Sequence, residues 1–403
     1  MGMDEQISKG LGVMMNTYSR FPLVLEKGEG CYVYDIEGKK YLDFVAGIAV
    51  NSLGHGNEKL VSAIANQAKN MIHVSNLYWT EPQIHLAEML TQNSFFDKAF
   101  FCNSGAEAIE GSIKMARKYA SKHHPERFEI ISMNDSFHGR TFAALTATGQ
   151  PKYHKGLAPL LPGMIHVNFN DFAALKAAVS AKTCAVLLEP IQGEGGIHPA
   201  DTEYLRQVRE FCTANDIVLI FDEVQCGVGR TGTFFAFEQY GVIPDSAAMA
   251  KGIAGGVPMG VILAKDSLAA SFVPGDHAST FGGNPLAASA ANVVVGELLN
   301  GGLLEHVKAA GLYLSEKLEA MRAGMPEKIM DVRGVGLMQG IELSGPAAPV
   351  INKCMENGLL LVNAGTNVIR FVPPLIVSNS EIDEMIEILQ GVLCSDSSDT
   401  QSR

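Results

Sequence analysis

Between Lys98 and Asp266 the chain alternates short apolar runs with longer stretches in which apolar residues recur every three or four positions. The runs KAFFC, FEIISM, MIHVNF, TCAVLLE, IVLIF, SAAMA and MGVILAK have the length and β-branched or aromatic content of strands. Between them, AEAIEGSIKMARKYAS and TEYLRQVREFCTAN place apolar residues along one helical face, the second ending near Asn215. This alternation predicts a parallel sheet with crossover helices. Upstream, GCYVYDIEGKKYLDF reads as a hairpin turning at Glu37-Gly38. Downstream, helical stretches from Pro285 to Arg322 precede IMDVRGVGLMQGIEL, a helix near Val350 to Asn357, and GLLLVNAGTNVIRFVPPL. That part predicts an α+β unit, and the polar tail SDSSDTQSR is expected to be disordered.

Composition narrows the partners. The chain has 403 residues, 47% hydrophobic and 18% charged, with 31 Lys+Arg against 43 Asp+Glu and a net charge of −12. Such a balance, with no basic cluster, repels phosphate backbones and anionic lipid, so neither nucleic acid nor membrane is expected as a partner. Runs such as CAVLL and IVLIF are too short to span a bilayer, and MGMDEQISKG has neither a basic start nor an apolar signal core. A cytoplasmic protein is expected. Seven cysteines lie scattered without a C-x-x-C pair, which predicts reduced, buried thiols and no metal site.

The stretch VLIFDEVQCGVGRTG contains a literal G-x-G-x-x-G in Gly227, Gly229 and Gly232. A dinucleotide fingerprint needs these glycines at the first strand-to-helix turn, away from acids. Here they follow several strand-helix units, Asp222 and Glu223 stand just before them, and the next residues are poor helix formers. The triplet is therefore read as a loop. Asp222 alone has an ordinary reading as a turn or cap residue, but it ends an apolar strand, where open α/β sheets bind ligands. Lys251 also follows an apolar strand and precedes glycines 252, 255 and 256, so partial desolvation there would depress its amine pKa and favour imine chemistry. Ser104-Gly105-Ala106 opens a helix, which makes an anion site or, equally, an ordinary serine cap followed by Glu107. Together the three suit pyridoxal 5′-phosphate: phosphate on the helix, carboxylate on the pyridine nitrogen, lysine on the aldehyde.

The segments LIFDEVQCGVGRTGTFFAFEQYGVIPD, MAKGIAGGVPMG, SFHGRT, NSGAEA and STFGGNP resemble the class III pyridoxal-phosphate aminotransferases of fold type I, from about Tyr18 to Leu389. The resemblance implies an α/β fold with a mostly parallel sheet in a large domain and a smaller α+β domain built from both chain ends. It divides the chain into 1–57, 58–295, 296–395 and a tail at 396–403. It also implies that Lys251 carries the cofactor and moves the proton, that Asp222 pairs with the pyridinium, and that Gln225 lies near the ring hydroxyl. Ser104, Gly105 and Ala106 bind phosphate, Phe137 stacks on the ring, and Thr280 reaches the phosphate of a partner subunit, so a homodimer is expected.

Arg140 and Arg370 can each grip a carboxylate in two places. By resemblance Arg140 takes the α-carboxylate of an ω-amino donor, Arg370 that of glutamate or 2-oxoglutarate, and Glu194 covers Arg370 while the donor is bound. Tyr18 matches an aromatic of the substrate site, and Ile48 stands where the ornithine branch tends to carry tyrosine. HVSNLYWTEPQ and LDFVAGIAVNSLGH are most similar to the branch that uses N-acetylornithine. Two departures stand out: Asn57-Glu58 in place of the usual His-Pro, and Cys226 in place of a frequent threonine. The expected reaction is a ping-pong transamination from N-acetylornithine to 2-oxoglutarate. Donors such as ornithine, succinylornithine, succinyldiaminopimelate or 4-aminobutyrate are the near alternatives. A NAD-dependent oxidoreductase or a non-catalytic relative is a distant one.

Overall fold

A computed structural model describes residues 2–395; the expected tail at 396–403 lies outside the described residues. Seven strands form the central sheet: β1 (Lys98–Cys102), β2 (Glu129–Met133), β3 (Met164–Val167), β4 (Thr183–Leu188), β5 (Val218–Asp222), β6 (Ser246–Met249) and β7 (Gly260–Ala264). They lie in the order β1-β7-β6-β5-β4-β2-β3. β4 and β5 are buried at every position, which explains their unbroken apolar sequence: helices cover both faces of the sheet. The seven predicted runs correspond to these seven strands, but β7 runs antiparallel to both neighbours. Only residues 250–259 join β6 to β7, too few for the helical crossover that a parallel return requires.

Helix α1 (Gly105–His123) packs its buried Ile109, Ile113 and Ala116 against this sheet. The Ser104 hydroxyl caps its start by accepting the Glu107 amide at 3.2 Å, while the Glu107 carboxylate accepts the Asn103 amide at 2.6 Å. The carboxyl ends of β1, β2, β4, β5 and β6 therefore share one edge with the start of β7. The ends of the chain meet elsewhere. Leu359–Leu360 pairs in parallel with Lys40–Asp43 of the N-terminal hairpin, in the register Leu359 to Leu42. A second four-stranded sheet follows from Ile329–Val335, Met338–Leu343, Val368–Phe371 and Val362–Ala364.

The glycine triplet forms a loop, as read from sequence, with Gly229 and Gly232 at φ of 82° and 90°. Its work is structural. Arg230 within it is buried, donates to the carbonyls of Leu337 and Pro373, and accepts the Leu337 amide on its own carbonyl at 3.0 Å. The loop thus fastens the central sheet to the C-terminal unit. Six cysteines are buried free thiols, but Cys394 on the last helix is exposed, contrary to the expectation of burial throughout. Among the described residues no single helix is long and apolar enough to cross a membrane.

One short segment departs from ordinary backbone. Ala46, Gly47, Ile48 and Ala49 have φ of 49°, 66°, 66° and 61°, so four consecutive residues wind left-handed. L-residues visit this region singly as a rule, at roughly 1–2 kcal/mol for each non-glycine. Something nearby must hold the turn.

Arg230 offers a check on the fastening. Arg230→Met keeps most of the apolar stem and removes both donors, leaving two buried carbonyls unpaired. Chemical denaturation is expected to show a loss of about 1–3 kcal/mol, and an unchanged midpoint would remove Arg230 from the fastening.

Candidate active site

At the shared strand edge lies a cavity of about 380 Å³, within the ~300–1,000 Å³ of small-molecule sites. Eight of the residues singled out from sequence line it: Ser104, Gly105, Ala106, Phe137, Arg140, Asp222, Gln225 and Lys251. They arrive from four strand ends. Ser104 to Ala106 follow β1, Phe137 and Arg140 follow β2, Asp222 closes β5 with Gln225 just beyond, and Lys251 stands two residues after β6. Backbones pack closely beside the cavity, since a Cβ on Gly260 would sit 2.3 Å from the Ser104 carbonyl oxygen.

Lys251 begins a single 3-10 turn, Lys251–Ala254, with its own φ at 45°. Burial is the largest influence on its amine and lowers the pKa to about 8, helped by Arg370 and opposed by Glu194, Asp222 and Glu189. Asp222 is buried and accepts from His138 Nδ1 at 2.7 Å and from the Val224 amide at 3.0 Å. Glu223 turns the other way. Its carboxylate accepts the amides of Ala236 and Phe237 at 2.8 and 2.9 Å, and burial raises its pKa to about 8. Of the two acids before the glycines, one faces the cavity and the other caps a short helix.

Sequence reasoning missed two participants. His138 carries no sequence signal of its own beyond the SFHGRT motif, yet it orients Asp222 through one ring nitrogen, and the other is buried without a protein partner. Glu189 stands in the sequence only as the last residue of the strand run TCAVLLE. Its carboxylate accepts the amides of Phe137 and Gly193 at 3.1 and 3.2 Å, and burial raises its pKa to about 7, with Asp222 adding to the rise and His138 opposing it. The available signal was an acid closing the six buried residues of β4.

Charge around the mouth is unequal. Arg370 on Val368–Phe371 is buried, and its Nη1 donates to Glu194 Oε1 at 2.5 Å and to Gln225 Oε1 at 2.8 Å. Burial alone would raise the Glu194 pKa, but Arg370 and Lys251 hold it down to about 2. Arg140 is exposed, with its guanidinium 3.8 Å from the Tyr153 ring centre and 5.3 Å from that of Phe137. Among the described residues it pairs with no carboxylate. Four expected residues do not line this cavity: Arg370 and its partner Glu194 lie beside it, and two stand farther off. Thr280 is exposed on a turn held by Asn76 and Asn103, and Tyr18 lines a second cavity of about 770 Å³ with Ile48.

These groups fit pyridoxal 5′-phosphate. Gly105 and Ala106 present first-turn amides that have no acceptor within the helix, a ready phosphate seat. Asp222 is a desolvated carboxylate fixed by His138, and Lys251 is an amine with a depressed pKa in the same cavity. Among the described residues no cluster of three or more His, Cys, Asp or Glu could hold a metal.

The aminotransferase class-III family model matches residues 13–393. Acetylornithine aminotransferase of Caldanaerobacter subterraneus is 55% identical over 94% of this chain and 97% of its own length. The protein of the same name from Methanocaldococcus jannaschii is 52% identical over 94% and 95%. Among solved structures, N-acetylornithine aminotransferase from Stenotrophomonas maltophilia superposes with a TM-score of 0.84 at 36% identity, covering 97% of this chain and 99% of that one. Ornithine aminotransferase from Toxoplasma gondii gives 0.95 at 28% identity, covering 99% and 96%. The five ordered motifs, the strand-edge cavity and these likenesses agree: the chain belongs to the class III aminotransferases, pyridoxal-phosphate-dependent transaminases of fold type I.

Proposed function

We propose that this enzyme transfers the terminal amino group of N-acetylornithine to 2-oxoglutarate, giving N-acetylglutamate 5-semialdehyde and glutamate in alternating half-reactions. The observation that carries the reading is the pairing of one open arginine, Arg140, with one covered arginine, Arg370, around Lys251. The same name on relatives of 52–55% identity supports the donor.

When bound, pyridoxal 5′-phosphate supplies an electrophilic aldehyde and a protonated pyridine ring that withdraws electrons. Asp222, fixed by His138, keeps the proton on the pyridine nitrogen. The first-turn amides at Gly105 and Ala106, with Ser104, would receive the phosphate, Phe137 would cover the ring, and Gln225 would serve its hydroxyl. Lys251 Nζ would hold the cofactor through its aldehyde and, when free, would serve as the base for the proton on the amine-bearing carbon of the substrate. Arg140 binds the α-carboxylate of the donor. While it does so, Glu194 neutralises Arg370, which would otherwise stay as a costly unpaired buried charge. Glutamate or 2-oxoglutarate brings its own carboxylate, and Glu194 yields Arg370 to it.

Two finer readings accompany this one. A homodimer is supported by exposed apolar side chains at Leu77, Tyr78, Trp79 and Phe281, near the Thr280 that would reach a partner's phosphate. The acidic net charge, with no basic cluster to hold anionic lipid, supports a cytoplasmic enzyme.

The test of the donor follows the visible absorption band of the holoenzyme in single turnovers with N-acetylornithine, ornithine and 4-aminobutyrate. N-acetylornithine is expected to bleach the band fastest. Faster bleaching by another amine would move the donor assignment. For Glu194→Ala, the N-acetylornithine half-reaction is expected to slow about 10-fold more than the glutamate half-reaction, the scale of one charge-assisted hydrogen bond. Equal losses in the two half-reactions would remove Glu194 from the exchange.

A further inference from the structure

The left-handed turn Ala46–Ala49 separates the two cavities. Val50 lines the cavity that holds Lys251, whereas Val45, Gly47 and Ile48 line the larger one that holds Tyr18. Ile48 carries φ 66° and ψ 64° on a β-branched side chain and remains 38% exposed toward that space. Relaxation to right-handed backbone would re-aim this side chain.

Two side chains oppose the relaxation. Asp43 Oδ1 accepts the amides of Val45 and Ala46 at 3.0 and 2.8 Å, fixing the entry to the turn. Asp43 Oδ2 is held by His55 Nε2 at 2.9 Å. His55 is itself fixed by backbone, exchanging hydrogen bonds with Gly30 at 2.8 and 2.9 Å. Its ring fills the space over Gly28, where an added Cβ would fall 2.5 Å away. On the far side of the turn, Ser52 Oγ donates to the Gly252 carbonyl at 3.1 Å, next to Lys251. The turn is thus gripped at its entry by a side-chain pair and at its exit by the lysine loop.

We propose that Asp43 and His55 are positioning residues for donor choice: their pair imposes the left-handed turn, and the turn aims Ile48 at the amine donor. Neither residue lines the cavity of Lys251; both border the larger one beside Tyr18 and Ile48, and their hydrogen bonds to the backbone at Val45 and Ala46 are what reach Ile48. The inference rests on the donor reading above only for the identity of the amine.

The test compares wild type, His55→Ala and His55→Gln holoenzymes by kcat/KM for N-acetylornithine and ornithine and by single turnover with glutamate. Loss of a shaped apolar contact is worth about 10-fold or more in discrimination. His55→Ala is expected to lower the N-acetylornithine to ornithine ratio by that factor, while glutamate changes by less than about 2-fold. His55→Gln, whose amide nitrogen can reach the place of ring Nε2, is expected to restore most of the ratio. Equal falls for all three substrates, or no change in the ratio, would overturn the proposal. A crystal structure of His55→Ala that keeps positive φ at residues 46–49 would also overturn it. If His55→Ala does not fold, Asp43→Asn, which keeps an acceptor for the two amides, must lower the same ratio; an unaltered ratio there would equally refute the clamp. Should wild type prefer another amine, the donor reading fails, and the clamp is then judged on the ratio of that amine to glutamate.

Discussion

The structure is organised around keeping an amine out of water without leaving it permanently charged. Lys251 stands at the end of an apolar strand, in a cavity whose other polar groups come from four further strand ends. Burial draws its pKa to about 8, so near neutrality a useful share is uncharged and nucleophilic. The acids nearby would reverse that if they acted together. Instead Asp222 is tied to His138, Glu194 is tied to Arg370, and burial favours the protonated form of Glu189. Each pairing shields the lysine from part of the surrounding charge.

The same economy explains the two arginines. A buried guanidinium needs a counter-charge at every stage of a reaction whose substrates alternate. Glu194 meets that need because its loop places it within reach of Arg370, Gln225 and the lysine. Arg140 needs no such cover, since it stands in solvent against the faces of Tyr153 and Phe137. In the proposed exchange, one arginine stays open to the donor and the other is uncovered for glutamate.

The strands of the central sheet were legible because burial on both faces makes their sequences continuously apolar, and Lys251 and Asp222 were legible because they interrupt that pattern at strand ends. The glycine triplet shows why context outweighs a motif: its residues fold as a fastening loop around Arg230. The reversal of β7 was encoded only in the shortness of residues 250–259, a length that apolar periodicity does not weigh. His138 and Glu189 were hidden because their partners are distant in the chain, 84 residues for His138 to Asp222 and 52 for Glu189 to Phe137. The left-handed turn at Ala46–Ala49 was hidden more deeply. Its residues favour ordinary backbone, and tertiary contacts from Asp43 and the lysine loop override that preference.

The depressed pKa of Lys251 is measured most directly by the pH dependence of cofactor capture by the apoenzyme. Only the neutral amine attacks the aldehyde, so a lowered pKa moves the rise in rate to lower pH. Stopped-flow absorbance after mixing with pyridoxal 5′-phosphate should show the rate of lysine-dependent capture rising through a midpoint near 8. A rate that stays low through that range and rises only near 10.5, the ordinary lysine value, would contradict the account.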